Sequence, residues 1–171
     1  MSGDEHEIIR PPNTLKSKVT YGPGGVDLDA LEKAEAVIAG LKGSYLEWVQ
    51  DDLVKLQEVY DRALAGQGDP RDNLREIFRI AHDIKGQGGS FDYHLMTQVG
   101  NHLCRFIEAA EELVVTGKSE LAVVKVHLDA LRLIIAERRE GDGGAEGQKM
   151  VAGLALVVEK YLKRKKAAEE G

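Results

Sequence analysis

Apolar residues recur every three or four positions along most of the chain, and six helical patterns follow one another from Asp27 onward. The first spans about 28–41, with Asp27 as N-cap and Leu31, Ala34 and Ile38 at helical spacing. The second spans about 45–65, with Leu46, Val49, Leu53, Leu56 and Tyr60 on one stripe. Gly66-Gln67-Gly68-Asp69 ends it, and Pro70 suits the first turn of the next. The third, about 70–89, turns Leu74, Ile77, Ala81 and Ile84 inward. The fourth, about 93–115, carries Met96, Val99, Leu103, Phe106, Ile107 and Ala110. The fifth, about 120–139, carries Leu121, Val124, Leu128, Leu131 and Ile135. Gly141-Asp142-Gly143-Gly144 forms a hinge, and the sixth, about 147–166, carries Met150, Leu154, Val157, Val158 and Tyr161. Trp48 and Tyr60 read as core or core-edge residues. No strand pattern competes. One apolar stripe per helix and short connections predict an all-α fold, an antiparallel bundle.

Residues 1–26 lack that period. Pro11-Pro12 and Tyr21-Gly22-Pro23-Gly24-Gly25 break any regular element, while Ile8, Ile9, Leu15 and Val19 offer anchors. The expected organisation is an extended or flexible arm over 1–26 and a helical bundle over 27–168. At 43% hydrophobic the chain can build a core, and 5% aromatic residues favour helices over a sandwich or barrel. A net charge of -6 and a pI near 5.4 give nucleic acid no general attraction. Cys104 is the single cysteine, so no internal disulfide forms. The acidic start shows no signal peptide and no stretch has the length of a membrane span, so a soluble cytoplasmic protein is expected.

The chemistry concentrates in Ala81-His82-Asp83-Ile84-Lys85-Gly86-Gln87-Gly88-Gly89-Ser90-Phe91. At about 100° per residue, His82 falls roughly 120° from the buried direction, on the solvent flank. Lys85, Gly86 and Gly89 share that flank, and Lys85 lies nearest the core edge, able to lay its stem on the bundle and reach up beside the ring. A neutral imidazole is a nucleophile, and an ammonium can pair with a phosphoryl group placed on it. Each glycine in a helix costs about 1 kcal/mol against alanine. Gly86 and Gly89 face outward, where their benefit is access for a partner, although Gly89 serves equally well as a helix end. Gly88 turns inward and permits close helix packing. Asp83 points elsewhere and reads as solvated or as a partner contact.

Ala81-His82-x-Ile84-Lys85-Gly86, followed by small residues and Phe91, resembles the motif of histidine-containing phosphotransfer (HPt) domains. The resemblance covers about 27–140, and the second to fifth patterns match that family's four-helix bundle in order and length. It implies a four-helix bundle with one additional helix at each end, and His82 as the phosphorylated residue. Lys85 would balance the added charge, and Gly86, with Gly89, Gln87 and Asp83, would meet a docked receiver domain. It implies a phosphorelay intermediate between response-regulator receivers, fed by a hybrid histidine kinase, rather than a kinase, since no ATP-binding element is visible. No cofactor is expected in the chain, and the Mg2+ would sit on the receiver. Two positions depart from the family pattern. Asp92 stands at a turn where glycine is common, and aspartate tolerates a left-handed turn better than most residues. Cys104, on the helix neighbouring the site, stands where many members have glutamine, and a thiol hydrogen-bonds only weakly.

Rival readings remain at this stage. A non-catalytic adaptor would dock receivers without transfer. A metal-binding bundle would need His82, His94, His102 and Cys104 to converge, yet His102 and Cys104 fall on opposite flanks of one helix. Lys163-Arg164-Lys165-Lys166 suits a helix C-terminus, which favours cations whether or not an anionic partner exists. The sixth helix either covers a face of the bundle or pairs with a second copy, with packing in cis and a monomer favoured. His6 and His127 have no evident partner.

Overall fold

A computed structural model of the chain describes residues 28–112 and 117–170. The expected arm over 1–26, with Ile8, Ile9, Leu15 and Val19, lies outside the described residues. The chain divides into two compact units, Met1–Ala39 and Gly40–Gly171. The described residues form five α-helices: α1 Leu28–Leu64, α2 Pro70–Gly88, α3 His94–Glu112, α4 Lys118–Ala136 and α5 Gly144–Glu169. A 3-10 turn, Gly89–Phe91, joins α2 to α3.

The first two predicted helices are therefore one. The pattern ends near 41 and resumes near 45, but Gly40 and Gly43 keep helical backbone across that gap. Two isolated glycines cost about 1 kcal/mol each, and no proline removes a hydrogen-bond donor between Ala39 and Tyr45. The expected inward stripe over the first pattern also fails: Leu31 is 48% exposed and Ile38 57%. From Tyr45 onward the pattern holds, with Tyr45, Val49, Leu53, Leu56, Val59 and Tyr60 buried. Trp48 is 47% exposed, its ring set edge-on to Phe91.

Cross-helix pairs fix an up-and-down topology within the second unit. Arg62 reaches Asn73 and Glu76, so the end of α1 lies beside the start of α2. Thr97 meets Lys85 and Arg75 meets Glu111, so α3 runs antiparallel to α2. Lys42 pairs with Glu140, which returns the end of α4 to the first turns of α1 in this unit. Apolar faces of all five helices close on a core that includes Leu56, Leu74, Ile77, Ile84, Met96, Leu103, Phe106, Ile107 and Leu128, each fully buried.

Caps and turns explain where the helices begin and end. The Asp69 carboxylate accepts from the backbone N–H groups of Arg71 and Asp72, with Pro70 in the first turn. Asp92 adopts the left-handed conformation at φ 66°, as the sequence suggested an aspartate could. Its carbonyl accepts from Gly141 N–H at 2.6 Å, and His94 N–H donates back to Gly141 at 3.2 Å. The presumed hinge is thus a tight, tied turn. Gly141, Gly143 and Gly144 all have φ above 60°, and a Cβ on Gly143 would sit 2.2 Å from Leu95 Cδ1.

The last helix packs in cis. Val151, Leu154 and Val158 are buried, and Tyr161 meets Phe106 edge-on at 4.9 Å. Val157, expected inward, is 38% exposed instead, because α5 covers the bundle with a narrow stripe. Glu120 locks this packing. Fully buried, it accepts from Gly117 N–H at 2.8 Å, Ser119 Oγ at 2.9 Å, Lys165 Nζ at 2.9 Å and the Tyr161 hydroxyl. Burial alone would raise its pKa, but the hydrogen bonds from Tyr161, Lys165 and Ser119 win and hold it at about 2.

Candidate functional site

Helical phase places the site. Ile77, Ala81 and Ile84 are fully buried and anchor one face of α2, which leaves His82 and Asp83 exposed on the other. Lys85 and Gln87 are half-buried, and Gly86 and Gly89 exposed. A Cβ on Gly86 would meet nothing within 4 Å, so the surface one turn beyond the imidazole is open. Gly89 caps α2 and opens the 3-10 turn, so it ends the helix as well as facing outward.

Close approach of α3 holds this stretch in place. A Cβ on Gly88 would lie 2.9 Å from both the Tyr93 carbonyl oxygen and Thr97 Oγ1. A Cβ on Gly100 would lie 3.0 Å from Lys85 Cβ and 3.1 Å from the Ala81 carbonyl oxygen. Two glycines, one from each helix, let the backbones meet beneath the histidine. Thr97 Oγ1 donates to the Lys85 carbonyl at 3.0 Å, which pins the residue that carries the ammonium. Below the turn, Tyr45 stacks on Phe91 at 4.6 Å.

His82 borders a cavity of about 290 Å³ lined by Phe78, Arg79, Lys85, Asn101, Cys104, Arg105 and Glu108. The Phe78 ring lies against the imidazole, centroids 5.9 Å apart and planes 29° from parallel. It supports the ring by contact alone and leaves the nitrogens for chemistry. Three cations, Arg79, Lys85 and Arg105, and one anion, Glu108, face the same space. An incoming phosphoryl group would meet net positive charge there.

Cys104 is buried, and burial pushes its thiol up to about 11 against the opposing pull of Lys85. It stays protonated at neutral pH, a weak hydrogen-bond group at the edge of the cavity rather than a nucleophile. His94 is exposed and pairs with Asp92 at 3.4 Å. His102 lines a different cavity, against α5, so it and Cys104 open on separate sides of α3. Among the described residues no group of three or more His, Cys, Asp or Glu side chains is placed to hold a metal.

Sequence reasoning brought His82, Lys85, Gly86 and Gly88 to their observed faces. It missed Phe78 and Arg79, although both sit one turn before His82 and helical spacing alone would have found them. It also missed Thr97, Asn101 and Arg105, which depend on the register between α2 and α3. His127, left without a partner, is buried with Nδ1 2.8 Å from the Val123 carbonyl oxygen.

Against known proteins, the model of the Hpt domain family matches residues 40–141. No curated protein and no solved structure gives a match.

Proposed function

The chain belongs to the Hpt domain family of two-component phosphorelays, in which such domains carry phosphoryl groups on histidine and interact with receiver domains and kinases, and from this we propose that His82 is the carrier in this protein. The support is one juxtaposition: an exposed imidazole braced by Phe78, with Lys85, Arg79 and Arg105 facing the space beside it and open surface at Gly86.

The transfer needs little from this chain beyond position and charge. A ring nitrogen of neutral His82 attacks the phosphorus of an aspartyl phosphate on a receiver. The P–N bond forms as the acyl P–O bond breaks, the aspartate leaves as carboxylate, and the other ring nitrogen keeps its N–H. The phosphoryl group then carries up to two negative charges, which Lys85 and the two arginines offset. In the second half-reaction a carboxylate of another receiver attacks, the P–N bond breaks, and the imidazole is restored. Mg2+ is supplied by the receiver in both halves. Asp83, Gly86, Gln87 and Gly89 form the docking rim around the nucleophile. No helix of the described residues is long and apolar enough to cross a membrane.

Incubation with a receiver carrying labelled phosphate tests this. The chain should gain acid-labile, alkali-stable label, lose it to a second receiver, and gain none as His82→Gln. Label that survives the substitution, or receiver binding with no transfer in either direction, would replace this reading with another histidine or with an adaptor.

A further inference from the structure

A partner that reaches His82 must cover far more than one side chain. A stable contact buries about 800 Å² on each partner, a patch roughly 30 Å across. Gly86 and Gly89, both exposed, carry the open surface away from His82 along α2, the second of them about 10 Å on at about 1.5 Å per residue. Gly89 opens the 3-10 turn and Phe91 closes it. The surface that continues from there is aromatic.

Trp48 of α1 sets its ring edge-on to Phe91, centroids 6.5 Å apart, and is 47% exposed. Phe91 in turn stacks on the fully buried Tyr45 at 4.6 Å, planes 13° from parallel, and Tyr45 leans on the buried Tyr93 at 5.4 Å. The stack thus runs from the core outward and ends in a half-open indole. Leaving that apolar surface in water is costly for the free chain. The rings beneath hold the indole rigid, so binding has little left to order. Aromatic anchors fixed from below and open above concentrate binding energy in interfaces.

The same stripe of α1 runs beside the histidine. Arg62 meets Glu76 near one end of the α1–α2 pair and Trp48 meets Phe91 at the other, fourteen residues of α1 against fifteen of α2 and its turn. On that count Asp52 and Lys55, which share the Trp48 stripe at about 100° per residue, fall level with Gly86 and His82. They pair with each other at 3.2 Å and give the indole a polar margin.

We propose that Trp48, backed by Phe91, is the apolar anchor for the receiver domain that docks over His82, seated against apolar side chains beside the receiver's aspartate. This role rests on the reading of His82 as carrier. The occupant follows from continuity, since Gly89 of the docking rim and Phe91 belong to one three-residue turn. Remote from the reacting atoms, the indole sets affinity and leaves the chemical step alone.

Trp48 is the only tryptophan of the chain, so its own fluorescence tests the proposal. Titrating the full chain with an unphosphorylated, tryptophan-free receiver that binds it should shift the emission to the blue and protect the indole from acrylamide. The His82→Gln chain should respond in the same way. In transfer assays Trp48→Ala should raise the half-saturating receiver concentration at least about tenfold, while the maximal transfer rate stays within about twofold. Its helical circular dichroism should be unchanged, which separates loss of docking from loss of fold, and Trp48→Phe should recover most of the affinity. Blue-shifted emission on docking with no label on His82 would keep the anchor and strike His82 as carrier. Label on His82 with unchanged Trp48 emission, or an unchanged half-saturating concentration in Trp48→Ala, would overturn the anchor and keep the carrier. So would an indole already shielded from acrylamide in the free chain, whether by its own residues or, as concentration is raised, by a second copy.

Discussion

At the scale of single residues, two helical glycines beyond the histidine, Gly86 and Gly88, serve opposite ends, and substitution should separate them. Gly86 faces open space, so Gly86→Leu should leave stability unchanged or raise it by up to about 1 kcal/mol through helix propensity. The same change should slow receiver transfer at least tenfold, because the side chain would stand on the proposed docking surface. Gly88 is the reverse. A methyl there would press on the Tyr93 carbonyl oxygen, a backbone atom that cannot swing away, so Gly88→Ala should cost roughly 1–3 kcal/mol despite alanine's better propensity. Urea titration and a transfer time course, run on both variants, read the two effects apart. Lys85→Ala should keep the fold and slow transfer by roughly ten- to a hundredfold, since a charge-assisted hydrogen bond contributes about 1.5–3 kcal/mol. Unchanged transfer rates would assign that charge support to Arg79 and Arg105 instead. His82, Lys85 and Gly86 were legible in the sequence because one helix carries all three and its phase is set by Ile77, Ala81 and Ile84 alone. Arg105 and Thr97 were not, because their nearness depends on how far α3 slides along α2, which Gly88 and Gly100 decide only once the backbones touch.

Among the elements, local signals told the sequence less where tertiary packing was absent than where it was strong. Pro70, Asp69 and the apolar stripe of α2 agree, and that helix begins and ends within a residue of its expected bounds. Between 41 and 45 the apolar pattern lapses, yet helix costs at Gly40 and Gly43 are small beside the loss of an uninterrupted ladder of backbone hydrogen bonds. Packing of α5 in cis was readable from its apolar stripe, but its anchor at Glu120 was not, because the partners Tyr161 and Lys165 lie more than forty residues away. That network invites a direct test. Glu120→Leu would leave the Tyr161 hydroxyl and the Lys165 ammonium without their acceptor. Lys165 can partly turn to solvent, so the cost should be about 2–3 kcal/mol rather than the full penalty of a severed buried pair. The thermal midpoint should fall by roughly 5–10 °C for a domain of this size. Glu120→Gln, which keeps an acceptor oxygen without the charge, should recover part of it. Calorimetry that finds both variants as stable as the natural chain would mean that α5 is held by its apolar stripe alone.

For the whole molecule, these buried groups set how stability follows pH. His127 is enclosed in the core with one nitrogen bonded to the Val123 carbonyl and Nε2 without a partner. Burial first lowers its pKa below the ordinary 6.5, against the opposing backbone bond. His102, half-buried, is lowered by burial and then by Arg105. For both, the unfolded chain binds the proton more readily, so their stabilisation is complete above about pH 6.5 and drains away as pH falls toward the folded values. Glu120 acts lower down. With an ordinary value of 4.5 and a folded one of about 2, it stabilises fully above pH 4.5 and loses that contribution, on the order of 3 kcal/mol, as pH falls to 2. The expected profile is a plateau near neutrality, a first decline beginning below about pH 6.5, and a second below about pH 4.5. Chemical denaturation across pH 2–8 should resolve both. In His127→Leu the first decline should shrink to the part owed to His102, while the second remains. In Glu120→Gln the first should remain and the second flatten. A single acid transition that neither substitution reshapes would place the acid sensitivity of the bundle in its surface carboxylates instead.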